Sequence, residues 1–143
     1  MTCVVDASVA LKWFLSDEPY ATEALTLART GEILIAPDLL IVETCNGAWI
    51  ASVRGRIAPA ELQNIATVLP RVFAELLGAP GLAPRATGIA AELRHPVYDC
   101  FYLALAEMRQ LPLVTADARF LARLAGSRWA ANAVHLSDYQ PRR

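Results

Sequence analysis

Cys3-Val4-Val5 is an apolar run without alternation, and it stops abruptly at Asp6. A strand with one wet face alternates polar and apolar side chains. An unbroken apolar run instead suits a strand buried on both faces of a parallel sheet. Helix-compatible sequence, Val9 to Leu15, follows at once. Ligands of open α/β sheets gather beyond the carboxyl ends of the strands, so Asp6 is expected at the mouth of any site the fold builds.

The same pattern recurs down the chain. Ala7 to Leu15 reads as a short helix closed by Ser16-Asp17-Glu18-Pro19. Tyr20 to Arg29 reads as an amphipathic helix with Ala21, Ala24, Leu25 and Ala28 on one face, ended by Gly31. Ile33 to Ala36 is a second solid strand, and the order strand–helix–helix–strand implies a right-handed parallel crossover. Asp38 is expected to cap a long helix running to about Val53. Glu43 and Asn46 share a face of that helix with Leu39, Gly47 and Ile50, an odd place for a carboxylate and an amide. Arg54-Gly55-Arg56 turns the chain, and Pro59 suits the first turn of a helix over Ala60 to Leu69.

Arg71 to Leu77 can continue that helix or form a strand, and Gly78-Ala79-Pro80-Gly81 reads as a break. Arg85 to Leu93 reads as helix. After His95-Pro96, Val97 to Arg109 is expected as a deeply buried helix, because Cys100 to Ala106 is apolar all round. Leu111 to Thr115 reads as a strand, Arg119 to Leu124 as a short helix and Ala133 to Leu136 as an edge strand. An α/β fold on a central parallel sheet is the expectation, with residues 1–143 as a single domain.

Hydrophobic residues make up 55% of the chain, yet no run approaches the roughly 18 residues of a membrane span. With no signal peptide before the first strand, the expectation is a cytoplasmic protein whose surplus apolar surface meets another chain. Cys3, Cys45 and Cys100 are dispersed in apolar segments, so no disulfide is expected. His95 and His135 have no ligand-spaced companions, which disfavours zinc.

Four carboxylates have one destination. Asp6 ends the first strand, Asp117 follows a later one, and Glu43 and Asp99 lie early in helices after turns. Taken singly, Asp6 reads as a helix cap and Asp117 as an Asx-turn residue. Glu43 reads equally as a satisfied buried acid or one rotated to solvent. Asp99 lies on the stripe of Tyr102, Leu103 and Ala106, with no Arg or Lys one turn C-terminal to it. His95, one turn earlier, can serve as a neutral partner, but reads first as a capping or packing residue. Gathered together, four carboxylates repel unless protonated or bridged by a cation. Oxygen-only ligation selects Mg²⁺ or Mn²⁺, and such ions activate water and steady the leaving oxygen of a phosphodiester.

At this point the sequence resembles the PIN-domain ribonucleases, and among them the VapC-type toxins of toxin–antitoxin pairs. The residues that carry the resemblance are Val4-Val5-Asp6-Ala7-Ser8, Glu43-Thr44-Cys45-Asn46, the run from Val97 to Ala106, and Leu113-Val114-Thr115-Ala116-Asp117. The resemblance implies a three-layer α/β/α sandwich with a parallel sheet of four or five strands. It implies that Asp6, Glu43, Asp99 and Asp117 hold Mg²⁺ or Mn²⁺, with Ser8, Asn46 and Thr115 orienting them. It further implies RNA hydrolysis leaving 5′-phosphate and 3′-hydroxyl ends, a homodimer, and neutralisation by a VapB-like antitoxin. The chain departs from the family at Gly78-Ala79-Pro80-Gly81-Leu82-Ala83-Pro84, which puts the third strand in question. It departs again at Arg119, where some relatives add an acid.

Setting the four acids aside leaves ten acids against thirteen bases, a balance of the sign a phosphate backbone requires. Twelve of the bases are Arg, the better bidentate phosphate reader, and the other is Lys12. Lys12, Arg119 and Arg123 are the candidate RNA contacts, with ordinary solvated charge as the competing reading. Trp13, Trp49 and Trp129 read as core or interface anchors before base-stacking platforms. A haloacid-dehalogenase-like phosphatase needs a second acid where Ser8 stands, and a receiver-like domain needs a lysine after a late strand. The remaining alternative is a non-catalytic PIN-fold module that binds RNA or protein.

Overall fold

The computed structural model describes residues 1–141. Five strands form one parallel sheet: β1 (Thr2–Val5), β2 (Ile33–Pro37), β3 (Glu75–Leu77), β4 (Leu113–Thr115) and β5 (Ala133–His135), in the order β3-β2-β1-β4-β5. The central strands are the solid apolar runs, and Val4, Val5, Leu113 and Val114 are wholly buried. Register pairs Val4 with Ile35 on one side and with Leu113 on the other.

Seven helices connect them: α1 (Ala7–Ala10), α2 (Ala21–Arg29), α3 (Leu39–Val53), α4 (Leu62–Val68), α5 (Ala79–Leu93), α6 (Val97–Arg109) and α7 (Ala118–Leu124). The winding reverses between β1 and β4. Right-handed crossovers therefore put the helices before β3 on one face of the sheet and those after it on the other, the α/β/α sandwich expected from the sequence. The reversal opens a crevice at the carboxyl ends of β1 and β4.

Several local expectations need correction. The first helix is only one turn of α-helix, continued by a tighter turn over Leu11–Trp13. Asp38 occupies the cap position of α3, but its side chain accepts no capping hydrogen bond. Between 70 and 84 the strand alternative holds, as β3. The segment read as a break instead starts α5, because Pro80 sits in a first turn where no intrahelical donor is missed. Pro84 lies inside that helix and costs it one backbone bond. The fourth strand begins at Leu113, since Pro112 has no N–H to give to the ladder; its carbonyl accepts from Val4 N at 2.9 Å.

Trp13 anchors rather than stacks: its indole N–H donates to the Ala24 carbonyl at 2.9 Å and its ring lies 5.8 Å from that of Phe73. Cys3, Cys45 and Cys100 are free. Burial pushes the thiols of Cys3 and Cys100 up to about 12 and about 11, so both stay protonated and inert. Among the described residues no helix is long and apolar enough to cross a membrane.

At the opposite end of the sheet from the crevice, the Glu32 side chain is 2% exposed. It accepts from the Tyr139 hydroxyl at 2.8 Å, and the Met1 amino group stands 4.0 Å away. Removing that donor leaves a buried carboxylate oxygen unmet. Tyr139→Phe is therefore expected to cost about 1–3 kcal/mol in urea unfolding; an unchanged midpoint would show that water replaces the hydroxyl.

Candidate active site

The crevice is built from the ends of two adjacent strands. Asp6, the residue after β1, is 6% exposed, and its Oδ2 accepts from Ser8 Oγ and from Thr115 Oγ1, both at 2.7 Å. Each hydroxyl is aimed from behind. Ala116 N donates to Ser8 Oγ at 3.0 Å, and Asp117 N to Thr115 Oγ1 at 3.1 Å. With those lone pairs taken, both hydroxyl protons turn to the carboxylate. All the ordering falls on Oδ2, and Oδ1 has no protein donor among the described residues.

Glu43 comes from α3, on the other side of the crevice. Its Oε1 accepts from the hydroxyl of Tyr102, a fully buried side chain of α6, at 2.8 Å. Asp99 lies in the first turn of α6, and its Oδ2 is 2.6 Å from His95 Nε2. An ionised carboxylate only accepts, so the ring nitrogen donates. Both alternatives read for His95 hold: it is the partner of Asp99, and it also packs, 5.2 Å from the Phe120 ring. Asp117 caps α7, its Oδ1 accepting from Phe120 N at 3.0 Å. Among the described residues, each of the four carboxylates has one oxygen held by a hydrogen-bond partner and leaves the other without one.

Electrostatics link three of them directly. Burial raises the Asp6 carboxyl to about 6, against the two hydroxyl bonds that lower it, and the Asp99 and Glu43 charges push it further. Glu43 is also raised, by burial first and by Asp99 as well, with the Tyr102 hydrogen bond opposing. Burial holds the Tyr102 phenol far above its ordinary value, so it remains a donor. No Lys or Arg among the described residues forms an ion pair with any of the four acids. Nor are three of these side chains drawn close enough together to hold a metal ion. The donors themselves, four carboxylates with free oxygens at one strand edge, fit a hard divalent cation, which would relieve the repulsion that raises Asp6.

The other predicted site residues divide. Ser8 and Thr115 are in the network; Asn46 is exposed and makes no side-chain hydrogen bond among the described residues. Lys12 lies 3.9 Å from Glu18 on the α1 side. Arg123 donates to the carbonyls of Leu93 and Arg94 at 2.8 and 3.0 Å. Arg119 is exposed at the start of α7, two residues beyond Asp117. Sequence reasoning assigned no role to Tyr102, although its position three residues after Asp99 was visible.

The fold and site define a doubly wound α/β protein with an acidic cluster at its switch point that no Lys or Arg among the described residues pairs with. The chain belongs to the PIN domain family, whose family model matches residues 3–126. Among solved structures, the crystal structure of PAE2754 from Pyrobaculum aerophilum is similar at 26% identity and a TM-score of 0.70, over 96% of this chain and 90% of that one. A toxin–antitoxin complex from Klebsiella pneumoniae contains a chain of the same fold, at 19% identity and a TM-score of 0.64, over 97% of this chain and 99% of that one. No curated protein matches.

Proposed function

We propose that the protein is an endoribonuclease dependent on Mg²⁺ or Mn²⁺, a VapC-type toxin that hydrolyses RNA phosphodiester bonds to 5′-phosphate and 3′-hydroxyl ends. The observation that carries this reading is the convergence of Asp6, Glu43 and Asp99 at the place where a doubly wound sheet presents a ligand crevice. Burial first and neighbouring acids next raise the Asp6 and Glu43 carboxyls, with no Lys or Arg among the described residues to balance them. PIN domains are generally nucleases that use divalent metals, which supports the same reading.

Asp6, Glu43, Asp99 and Asp117 would hold the cation, which supplies a Lewis acid for activating water and for steadying the leaving oxygen. Ser8 and Thr115 keep Asp6 in one rotamer, so its free Oδ1 is presented without reorganisation. Tyr102 does the same for Glu43. Arg119, exposed two residues beyond Asp117, would be the arginine to meet an incoming phosphate, a reading its exposure supports. Arg123 is spent on backbone carbonyls and Lys12 is turned to Glu18, so neither adds to that path.

The toxin assignment draws on the Klebsiella neighbour, itself a toxin–antitoxin complex, and on an apolar stripe along α3. Val42, Trp49 and Val53 share a face of that helix and are 65%, 56% and 68% exposed. A VapB-like antitoxin or a second copy of the chain is the partner such a surface fits, in a protein acting as a single domain in the cytoplasm.

Metal should stabilise the fold by linkage. At a hundredfold excess over Kd, Mn²⁺ contributes about 2.7 kcal/mol, on the order of 5–10 °C in melting temperature for a chain this long. The shift should be larger at pH 7.5 than at pH 5, where Asp6 binds a proton in competition. No shift at millimolar metal at either pH would remove the metal site and favour the non-catalytic binder. Production of the chain alone should slow its host's growth, and harmless high-level production would count against the toxin.

A further inference from the structure

The turn between α5 and α6 has an unusual amount of structure for three residues. Arg94 is left-handed, with φ of 53°, and the His95 N–H returns to the Ala90 carbonyl at 3.2 Å. From α7, the Arg123 guanidinium donates to the two carbonyls just before His95. The imidazole then lies between two neighbours, the Phe120 ring at 5.2 Å and Asp99 Oδ2 at 2.6 Å from Nε2. Phe120 is 2% exposed, and its backbone N–H is the group that caps Asp117 at 3.0 Å. One residue of α7 therefore backs His95 with its ring and Asp117 with its amide.

We propose that His95 is a positioning residue, the middle of a strut Arg123–corner–His95–Phe120 that orients Asp99 and sets its spacing from Asp117. Asp99 and Asp117 arrive on different helices, α6 and α7; the Phe120 N–H holds the Asp117 carboxylate, and among the described residues the side-chain partner of Asp99 is His95. Without the strut, Asp99 is anchored only by its backbone. With it, one carboxylate oxygen is fixed from behind and the other faces the crevice, as the hydroxyls do for Asp6. The strut also accounts for an arginine one turn from Arg119 that is turned away from the solvent path a substrate would take.

This inference rests on the metal-nuclease reading, and the experiment separates the two. Calorimetric Mn²⁺ titration and steady-state RNA cleavage are run on the unmodified protein, His95→Ala, His95→Gln and Arg123→Met. His95→Ala is expected to raise the Mn²⁺ Kd roughly 10–100-fold and to lower kcat while KM for RNA stays within about twofold. His95→Gln, which keeps an N–H donor, should recover most of both losses. Arg123→Met leaves His95 in place but frees the corner, and should raise the Kd several-fold. It keeps the test decisive even where the alanine variant does not fold. Unchanged Mn²⁺ affinity in His95→Ala and Arg123→Met, beside an unmodified protein that binds and cuts, overturns the strut alone. An unmodified protein that neither binds Mn²⁺ nor cuts RNA overturns the nuclease reading and the strut with it.

Discussion

Asp6→Asn should melt at a higher temperature than the unmodified, metal-free protein at pH 8, and should cut RNA at least a hundredfold more slowly. The stability gain follows from the raised carboxyl. Its value is 3.8 in an ordinary setting and about 6 in the fold. The folded state therefore binds more protons than the unfolded state between those values, and stability falls as pH rises through that window. Above pH 6 the ionised group costs the metal-free fold on the order of 1–3 kcal/mol. An asparagine keeps an oxygen for the Ser8 and Thr115 hydroxyls and places an N–H₂ group, rather than a third charge, towards Glu43 and Asp99. The advantage should vanish near pH 4, where Asp6 itself is protonated. The loss of cleavage follows because removing a mere partner of a metal-holding group costs roughly 10–100-fold, and Asp6 would be such a group itself. A variant that melts lower at pH 8, or cuts as before, contradicts this account of Asp6.

Asp99→Asn separates chemistry from stability more cleanly. Its side chain is about a quarter exposed and packs on no structural ion pair beyond His95. An amide of the same shape still offers the imidazole a hydrogen-bonding partner, so circular dichroism and the melting temperature without metal should stay close to those of the unmodified protein. Cleavage should fall at least a hundredfold, and the Mn²⁺-induced rise in melting temperature should shrink, because a neutral oxygen holds a divalent ion far less well than a charged one. Full activity in the purified variant would sink the assignment of Asp99. A collapsed melting temperature would mean that the pair with His95 is structural.

The two variants bear on how much the chain reveals before it is folded. Solid apolar runs at Cys3–Val5, Ile33–Ala36 and Leu113–Val114 read as buried parallel strands because they are short, rich in β-branched residues and closed by turn residues. The longer run at Cys100–Ala106 is helix. The start of α5 was not legible. Proline and glycine break helices in their interiors but are welcome in a first turn, and the sequence does not say where the first turn lies. Within the site, Asp99 stood out because an acid in an apolar stripe needs a reason. Its partner, His95, was in view at four residues' distance as one of two readings, and spacing alone does not choose between them because a turn separates it from the helix. The tie from Tyr102 to Glu43 spans 59 residues and two helices, which no local spacing encodes. Arg123 misled in the opposite way: its helical spacing from Arg119 is real, but a tertiary contact at the carbonyls of Leu93 and Arg94 turns it elsewhere.

The chemistry at the crevice is most directly read from the ends of the RNA it makes. Purified, partner-free protein with Mg²⁺ or Mn²⁺ should yield fragments carrying a 5′-phosphate and a 3′-hydroxyl. Those fragments should be absent with EDTA and absent with Asp99→Asn. Fragments ending in a cyclic phosphate would mean attack by the RNA's own 2′-hydroxyl, which needs no water activated at an acidic cluster, and would contradict the proposed mechanism. No cleavage of any RNA class by well-folded protein would leave a PIN domain that binds without cutting.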